Sequence, residues 1–515
     1  MKLATPDMIP KIDKYATEKL GFEPKELMRR SAEAVKQAIT ENYPEARAVL
    51  ILAGKGNNGG DGYALSCILN VPNVIVCDVF SAGQRTGEGK FWLNKAKEQG
   101  VKIISGQDSE LYALIKKADV IVDAIFGTGF VGEPDSSLSE LVSFVNASRA
   151  KKIAVDVPLG INALDGSVCS MCIPAQITVT LSYQKPGLLS YPAKALVGKL
   201  FHSDLGLPCD VIEEDFEFSY RYVDFEEAKA LMPKRKENSN KGSFGKVLLI
   251  TGSDKYRGAA HLSLEAALRG GCGIVHFAGS EELCTELRMK FPEAIYHPQP
   301  LLNKDLSSAL SDQCSAMLIG SGSSVSEELC LLVEYLLEST NTTLLLDADA
   351  LNSIAKYSSP EILTKARKKP VITPHPLELS RLSGVPVDKI EQNRLSFAKE
   401  FARKYNCIIL LKGACTVVTD GEAVYINGSG SSALSKGGSG DALAGLIVSL
   451  LAFSESAASA SALAAYVHGR AGDILSEKLS SFGVTPSDLP CQMAMVISEI
   501  EKFSRKETLS VRFPY

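Results

Sequence analysis

The sequence predicts an α/β protein of two three-layer α/β/α domains, each with a largely parallel sheet between layers of helices. A chain of 515 residues is longer than one hydrophobic core usually supports, so more than one domain is expected. Apolar, β-branched runs recur along the chain with helix-like stretches between several of them, as in parallel sheets buried on both faces. This alternation stops once and then starts again.

The first series of elements begins with a helix, expected over Thr17–Thr40. Further helices are expected over Gly62–Leu69 and Lys90–Gln99. The predicted strands of this series are Ala48–Ala53, Val74–Phe80, Val101–Ser105, Val120–Ala124, Ile153–Val157 and Ile177–Tyr183. Because these runs are largely apolar and do not alternate with polar residues as a half-exposed strand would, we expect a sheet with both faces covered.

The alternation stops around residues 208–241, where an acidic stretch, Glu213–Glu217, and a charged stretch, Met232–Asn238, interrupt it. We therefore expect one domain over residues 1–212 and a second over residues 220–508. The second series of strands is Val247–Thr251, Gly273–Ala278, Ala316–Gly320, Thr343–Asp347, Pro370–Thr373 and Ile408–Lys412. A hairpin of Val417–Thr419 and Ala423–Ile426 follows, and then two helices, Asp441–Ala452 and Ala457–Leu475.

Composition and charge exclude several classes of function. The net charge is -5 with Lys and Arg scattered, which argues against nucleic acid as a partner. No window reaches the roughly 18 apolar residues of a membrane-spanning helix, and the opening lacks a signal-peptide run, so a cytoplasmic location is expected. The cysteines are irregularly spaced apart from one CxxC pair, Cys169 and Cys172, and no HxH or HxxxH pair occurs, so no transition-metal site is expected.

A glycine-rich segment, Gly54–Gly62, directly follows the first predicted strand and precedes a helix. Glycines let backbone amides approach a ligand, and a helix start adds positive potential, so the segment suits a pyrophosphate. Two more strand ends carry an aspartate before a glycine turn, Asp123 and Asp156. Ligands of parallel sheets lie at the carboxyl ends of strands, so Asn58 and both aspartates are expected in one crevice. A plain turn, or a helix cap for each aspartate, is the alternative.

The first domain resembles the YjeF N-terminal family, the NAD(P)H-hydrate epimerases, in the loop Asn57–Asp61 and the segments Asp123–Gly129 and Val155–Pro158. The resemblance implies a Rossmann-like fold, with Asp156 as the acid/base residue at the reactive ring. It implies potassium held by Asn58, Asp123 and the position of Leu159, where the family usually has serine, so a weak response to potassium is expected. The implied substrate-binding residues are Asn57, Asn58, Gly59, Gly60, Asp61, Gly127, Thr128, Gly129, Phe130, Val131, Gly132 and Glu133.

In the second half, Ser435–Asp441 leads straight into an apolar helix. Amides at this helix start would hold a phosphate, and Asp441 in its first turn would act on a nearby hydroxyl. The alternative is a capped helix after a flexible loop. The motif resembles the ribokinase-like superfamily, where this aspartate activates the phosphoryl acceptor.

Further segments narrow this resemblance to the YjeF C-terminal family, the ADP- or ATP-dependent NAD(P)H-hydrate dehydratases. They are Lys241–Lys246, Thr251–Ala260, Leu346–Leu351, Thr373–Glu378 and Leu411–Gly413. The resemblance implies a ribokinase-like fold, catalytic Asp441, ADP as co-substrate and Mg²⁺ as cofactor. The implied pocket of the hydrate contains Ala259, Gly322 and His375, and the implied nucleotide-binding residues are Lys412, Gly413, Ala414, Cys415, Thr416, Gly437, Gly438, Ser439 and Gly440.

Two of these assignments have ordinary structural alternatives. His375 lies in a Thr-Pro-His-Pro turn, where it could simply satisfy the turn. Asp347 and Asp349 either shape the pocket and assist magnesium indirectly or anchor a strand end.

Together the two halves predict an enzyme that repairs hydrated NADH and NADPH. The hydrate carries a hydroxyl on C6 of the former nicotinamide ring, so it exists as two epimers. A dehydratase should accept one of them, and an epimerase on the same chain makes the other epimer usable. The expected partners are the hydrates and an adenine nucleotide, and a homo-oligomer is expected. A sugar or vitamin kinase fused to a nucleotide-binding domain would explain the second half but not the first. A non-catalytic nucleotide sensor would not need both Asp156 and Asp441.

Overall fold

The structure is a computed structural model that describes residues 1–80, 87–298, 308, 310 and 312–510. The chain divides into two compact units, Lys2–Tyr220 and Arg221–Tyr515, with Met1 belonging to the second. This division falls inside residues 208–241, where the alternation of the sequence stops.

The sheet of the first unit is entirely parallel, and its strand order is β4-β3-β2-β5-β6-β7-β8. After a short β1 (Lys2–Leu3), the strands are β2 (Ala48–Ala53), β3 (Asn73–Asp78), β4 (Lys102–Ser105), β5 (Val120–Ala124), β6 (Lys151–Val155), β7 (Ile177–Leu181) and β8 (Lys199–Ser203). The helices are Ile9–Glu18, Pro24–Asn42, Asn57–Ile68, Gly87–Glu98, Leu111–Lys117, Ser139–Ala147 and Cys209–Asp215. The order reverses direction between β2 and β5, which places a crevice at the carboxyl ends of these two strands.

Alternate residues of the central strands pack into two separate cores. Val49 and Ile51 of β2 belong to a cluster with residues of the helix Pro24–Asn42. Leu50 and Leu52 belong to a second cluster, which contains residues of the helices Leu111–Lys117 and Ser139–Ala147. Helices therefore cover both faces of the sheet, and the first unit has three layers.

Several predictions for this unit were wrong in their bounds. The strands expected over Val74–Phe80 and Ile177–Tyr183 end two residues earlier, at Asp78 and Leu181, and the helix expected from Gly62 begins at Asn57. The single helix expected over Thr17–Thr40 is two helices, because Gly21 takes φ of 75° after the first and Pro24 starts the second. The strand expected over Ile153–Val157 ends at Val155, because Asp156 takes a left-handed φ of 67° that a strand cannot continue. The strand β8 was not predicted.

The second unit contains a larger sheet, in the order β9-β18-β17-β16-β15-β14-β13-β10-β11-β12. Its strands are β9 (Tyr220–Val223), β10 (Lys246–Ile250), β11 (Ile274–Gly279), β12 (Ile295–Pro298), β13 (Ala316–Ile319), β14 (Thr343–Leu346), β15 (Val371–Ile372), β16 (Ile408–Leu411), β17 (Val417–Thr419) and β18 (Val424–Asn427). From β16 to β12 neighbouring strands are parallel, whereas β17 pairs antiparallel with both β16 and β18, so the predicted hairpin is present.

Helices cover the sheet of the second unit. They are Phe225–Leu231, Arg257–Arg269, Glu281–Lys290, Glu327–Ser339, Asp349–Tyr357, Pro376–Ser383, Val387–Gln392, Arg394–Lys404, Ser439–Leu451, Ala457–Gly483 and Leu489–Ser510. One core cluster joins Val247 and Leu249 of β10 to the apolar face of the helix Ser439–Leu451. The intervening Leu248 is fully buried as well, as both faces of a parallel sheet require.

Candidate active sites

The first unit contains a cavity of about 640 Å³, here called the first cavity, at the start of the helix Asn57–Ile68. The predicted binding residues that line it are Asn57, Asn58, Asp61, Gly127, Thr128, Gly129, Phe130 and Asp156. The helix starts immediately after β2 and Gly56, so its first amides lie at the carboxyl edge of the sheet. This edge is where a parallel sheet binds its ligands.

Gly59 and Gly60 are not among the residues that line the first cavity. A Cβ on Gly59 would lie 2.0 Å from the carbonyl oxygen of Gly54, and one on Gly60 would lie 2.7 Å from Cε of Met28. Gly59 must be glycine because it packs against backbone, whereas a side chain at position 60 would have to displace the end of Met28. Their role in the structure is close packing.

The distal part of the second predicted loop is also outside the lining of the first cavity. Val131 is 77% exposed, the carbonyl of Gly132 accepts a hydrogen bond from Sγ of Cys169, and Glu133 accepts one from the hydroxyl of Ser170. Gly132 and Glu133 thus contact the segment that carries the CxxC pair. The structure thus brings Gly127–Phe130, but not the rest of the loop, to the first cavity.

Asp156 is the most constrained side chain in the first cavity. Its Oδ2 accepts hydrogen bonds from the amide of Thr128 at 2.9 Å and from Oγ1 of Thr128 at 2.5 Å. Its Oδ1 lies 2.5 Å from Nζ of Lys185, which is 1% exposed and also donates to the carbonyl of Leu181. The left-handed backbone of Asp156 turns this carboxylate toward the first cavity, a strain typical of functional residues.

The carboxyl groups of the first cavity differ in their pKa. Burial raises the pKa of Asp156, but the ammonium of Lys185 and the hydrogen bonds from Thr128 outweigh it, so the net shift is downward. Burial and the charge of Asp156 hold the pKa of Asp61 well above its usual range. Burial raises the pKa of Asp13 to about 6, although Lys185 opposes the shift. The site therefore combines an ionised carboxylate with carboxyl groups that retain a proton more readily.

Asp123, expected in the same crevice, is not among the residues that line the first cavity and is 1% exposed. Its oxygens accept the amides of Ile125 at 3.2 Å and Leu159 at 2.7 Å, so it connects two strand ends. Burial raises its pKa to about 6, although these two amides oppose the shift. Asn58 lies at the first cavity, and its amide donates to the carbonyl of Phe126 at 2.7 Å.

Sequence reasoning missed Lys185 and Asp13. Lys185 lies four residues after β7, and no local pattern connects it with Asp156. Buried lysines are rare unless they are paired, and here the partner is Asp156. Asp13 lies on the helix Ile9–Glu18, far from the glycine loop in sequence. No local pattern connects it with the first cavity, so only the tertiary structure identifies it.

In the second unit, Asp441 lies in the first turn of the helix Ser439–Leu451, after Gly438 with φ of 103°. Burial raises its pKa to about 7, and the charge of Asp347 acts in the same direction, whereas Lys412 opposes it. A carboxyl group with this pKa exchanges protons at neutral pH, as general acid/base catalysis requires.

Lys412 connects the two sides of this second site. Its Nζ lies 3.0 Å from Oδ1 of Asp347 and 3.8 Å from Oε2 of Glu378. It also lies 3.6 Å from the position that a Cβ of Gly440 would occupy. A partly buried ammonium thus faces the helix start that carries Asp441, where it adds positive potential for a bound anion. The prediction included Lys412 but missed Glu378.

The predicted hydrate-pocket residues are placed as follows. A Cβ on Gly322 would lie 2.6 Å from the Cβ of Ala259, so these two residues are neighbours. His375 caps the helix Pro376–Ser383: its Nδ1 accepts the amides of Leu377 and Glu378, both at 3.2 Å. His375 therefore does satisfy the turn, as the structural alternative expected. Its side chain remains 44% exposed.

The loop after β16 is held by the buried guanidinium of Arg394, which donates to the carbonyls of Leu411 and Lys412 at 3.1 and 3.0 Å. Gly413 lies against Arg394 with φ of 144°, Ala414 is exposed, and Cys415 is buried. The hydroxyl of Thr416 donates to the carbonyl of Gly413.

At the predicted phosphate loop, Gly437 has open space around it, and Gly438 packs against Leu262. The Ser439 hydroxyl lies 3.1 Å from Nε2 of His468, an interaction that fixes the first residue of the helix.

Asp347 is engaged by protein groups, since its oxygens accept from the hydroxyls of Ser321 at 2.9 Å and Thr373 at 2.8 Å besides Lys412. Asp349 accepts the amide of Ser324. Across the part of the chain that the structure describes, no group of three or more His, Cys, Asp or Glu side chains forms a metal-binding cluster. Among the same residues, no helix combines the length and the apolar character needed to cross a bilayer.

Comparison with known proteins agrees with both halves. Residues 24–187 match the family model described as YjeF-related protein N-terminus, and residues 247–494 match the model described as NAD(P)H-hydrate dehydratase. A protein of Bacillus subtilis, an ADP/ATP-dependent NAD(P)H-hydrate dehydratase co-crystallised with ATP and Mg²⁺, has a TM-score of 0.50 at 31% identity. The match covers 54% of this chain and 98% of that structure.

Two relatives match nearly the whole chain. Proteins of Coxiella burnetii and Escherichia coli, both named bifunctional NAD(P)H-hydrate repair enzyme Nnr, are 33% and 32% identical to it. They cover 93% and 96% of this chain, which in turn covers 96% and 93% of theirs. Fold and sites together define a bifunctional α/β enzyme, with a Rossmann-like unit followed by a ribokinase-like unit. The chain belongs to the family of bifunctional NAD(P)H-hydrate repair enzymes. This membership confirms the repair enzyme predicted from the sequence and disfavours the sugar or vitamin kinase.

Proposed function

We propose that the first unit interconverts the two C6 epimers of hydrated NADH and NADPH, and that the second dehydrates the S epimer with an adenine nucleotide. The observation that carries this proposal is that each unit has a partly or fully buried carboxylate beside a glycine-lined helix start. These are Asp156 near the helix Asn57–Ile68 and Asp441 in the helix Ser439–Leu451. Each arrangement combines an anion site with an acid/base group.

In the first unit, Asp156 serves as the base and a carboxyl group of higher pKa as the acid. The lone pair of the ring nitrogen expels the C6 hydroxyl, which takes a proton from Asp61 or Asp13 and leaves as water. Water then adds to the opposite face of C6 and gives a proton to Asp156. Paired carboxyl groups whose environments separate their pKa values are suited to these two roles. The ion pair with Lys185 keeps Asp156 ionised, which is the form that a base needs.

In the second unit, Asp441 accepts the proton of the C6 hydroxyl while that oxygen attacks the terminal phosphorus of the nucleotide. The O–P bond to the leaving nucleotide breaks, so ATP leaves as ADP, or ADP as AMP. The phosphate then leaves C6, and one of its oxygens takes the proton from C5, which restores the coenzyme. We propose ADP as the preferred co-substrate. Mg²⁺, when bound, would neutralise the nucleotide phosphates, and Asp347 is not placed as its direct ligand because protein donors already engage it.

One assay tests both activities: the purified chain is given each hydrate epimer with ADP, with ATP or without nucleotide. The absorbance of the reduced coenzyme should return for both epimers when a nucleotide is present, and for neither without it. Without nucleotide, chromatography should still detect interconversion of the epimers. Phosphorylation of ribose or hydroxymethylpyrimidine, with no turnover of either hydrate, would contradict the proposal.

The dehydratase reaction is expected to depend on pH through Asp441. Because its pKa is raised to about 7 and the base must be ionised, kcat/KM should rise through neutral pH and reach a plateau above it. The measurement is kcat/KM for the S epimer across this range at saturating nucleotide. A profile that falls with rising pH would instead make Asp441 the acid.

The residues of the first unit fit a potassium ion in part. Oδ1 of Asn58 is a buried acceptor without a hydrogen-bond partner among the described residues. The carboxylate of Asp123 is buried near the end of β5, the strand that pairs with β2. The side chain of Leu159 packs in an apolar core and offers no oxygen. At this position the backbone carbonyl oxygen is therefore the remaining potential ligand for potassium. Potassium, when bound by Asn58, Asp123 and Leu159, would add a fixed positive charge beside the site.

We therefore expect the rate of epimerisation to respond only weakly when potassium replaces sodium. The physical reason is the missing side-chain oxygen at Leu159, which lowers the affinity for a hard cation. The matched variant is Leu159→Ser, which should respond more strongly to potassium, with Tm measured because a core side chain is lost. Strong activation of the unaltered protein would show that backbone and Asn58 oxygens suffice.

The proposal also includes a cytoplasmic location and a homo-oligomer. Light scattering of the purified chain tests the second, and fractionation of cells tests the first. Neither bears on the chemistry of Asp156 and Asp441.

A further inference from the structure

A second cavity, of about 420 Å³, lies beside the glycine loop of the first unit. Its lining residues are Lys55, Gly56, Phe80, Phe126, Asp135 and Ser137. It shares Gly56 and Phe126 with the first cavity. A ligand too long for one cavity can therefore pass around Gly56 and occupy both.

The charges of the first cavity decide which part of a dinucleotide it accepts. Asp13, Asp61 and Glu88 line it in addition to the ion pair of Asp156 and Lys185. An uncharged hydrated ring tolerates these carboxyl groups, but a pyrophosphate is repelled by those that are ionised. The amides at the start of the adjoining helix attract the pyrophosphate instead, which places it at Gly56, between the two cavities.

The second cavity has the features that a nucleoside requires. The rings of Phe80 and Phe126 lie 5.8 Å apart at 43°, and Phe126 stacks on Phe130 at 4.3 Å and 14°. Nζ of Lys55 lies 4.7 Å from the centre of the Phe80 ring. Purine bases stack on aromatic rings, and a lysine beside such a ring adds a cation near the phosphates.

We propose that the second cavity binds the adenosine half of hydrated NADH and NADPH, with the adenine against Phe80. The strand order supports this position: β3, which ends just before Phe80, pairs in parallel with β2, which leads into the glycine loop. The aromatic ring and the phosphate-binding amides therefore lie at the same edge of the sheet. The proposal rests on the epimerase activity of this unit and specifies where the remote half of its substrate binds.

The test compares Phe80→Leu with the unaltered chain on two substrates, the hydrates of NADH and of reduced nicotinamide mononucleotide, which lacks adenosine. For the dinucleotide, Phe80→Leu should raise KM for epimerisation about tenfold, since that is the effect of losing one stacked base, and leave kcat nearly unchanged. For the mononucleotide, both constants should be unchanged. The readout is the ratio of epimers separated by chromatography, without nucleotide.

Phe201→Leu is the matched control, because Phe201 also lies under a lysine, Lys199 at 4.4 Å, and lines neither cavity. It should leave both substrates unaffected. An equal rise in KM for both substrates, or no change in KM for either, would overturn the adenosine site. If the unaltered chain epimerises neither hydrate, the proposed function fails. The adenosine site is then tested by the binding of NADH, measured through the fluorescence of the reduced coenzyme. Phe80→Leu should weaken this binding, and Phe201→Leu should not.

Discussion

Replacing Asp156 with asparagine is expected to abolish epimerisation, by roughly 10²–10⁴-fold, while dehydration of the S epimer continues at the unaltered rate. The substitution keeps the size of the side chain but removes the charge that accepts a proton from the water adding to C6. It also leaves the ammonium of Lys185 without the carboxylate that lies 2.5 Å from it. Epimer ratios measured without nucleotide, and coenzyme recovery from the pure S epimer with nucleotide, give the two rates.

Loss of folding must be distinguished from loss of chemistry in this variant. Breaking a buried ion pair by removing one partner typically costs about 3–5 kcal/mol, because the remaining charge is uncompensated. The double variant of Asp156→Asn with Lys185→Met removes both charges, so it should recover stability but not epimerisation. Asp210→Asn, an exposed aspartate of the same unit, is the matched control and should retain full activity. Epimerisation by a folded Asp156→Asn protein would exclude Asp156 as the base.

The strands that were predicted most accurately are those buried on both faces. Ala48–Ala53 and Val120–Ala124 match β2 and β5 residue for residue, and each is buried over all or nearly all of its length. The missed strand β8, Lys199–Ser203, mixes polar and apolar residues at the edge of the sheet. An edge strand needs less burial, so its sequence carries a weaker signal.

Site residues were predictable where a backbone requirement and a chemical group coincide in one short segment. Asn58, Thr128 and Asp156 follow strand ends next to glycines, and all three line the first cavity. Asp123 follows the same pattern, yet its oxygens are directed at backbone amides. Sequence alone cannot separate these cases, because a strand-end aspartate suits a ligand and an amide equally well.

Residues that act through tertiary contacts were beyond the sequence. Lys185 becomes relevant only because β6 and β7 are neighbours, which brings its ammonium to Asp156. Glu378 was assigned no role, although it faces Lys412 and adds to the raised pKa of Asp441. Such groups tune the acid/base residue from elements distant in the chain, and no local motif records them.

Replacing Asp441 with asparagine is expected to abolish dehydration, again by roughly 10²–10⁴-fold, and to leave epimerisation intact. The variant lacks the base that accepts the hydroxyl proton, although Lys412 and the helix start that favour the phosphates remain. Nucleotide should still bind, so KM for ADP should change little while kcat falls. Coenzyme recovery from the S epimer measures dehydration, and epimer ratios without nucleotide measure the other activity.

The expected change in the Tm of this variant provides an internal control, because Tm should rise, whereas a mutation that damages the fold lowers it. Burial raises the pKa of Asp441 from 3.8 to about 7, so the folded protein is penalised for ionising it as pH rises between these values. Asp441→Asn removes that penalty and should raise Tm above neutral pH, with little change in acid. The exposed Asp388→Asn should change neither Tm nor activity. Dehydration lost together with a raised Tm can only be a chemical defect, whereas dehydration retained would assign the proton transfer to another group.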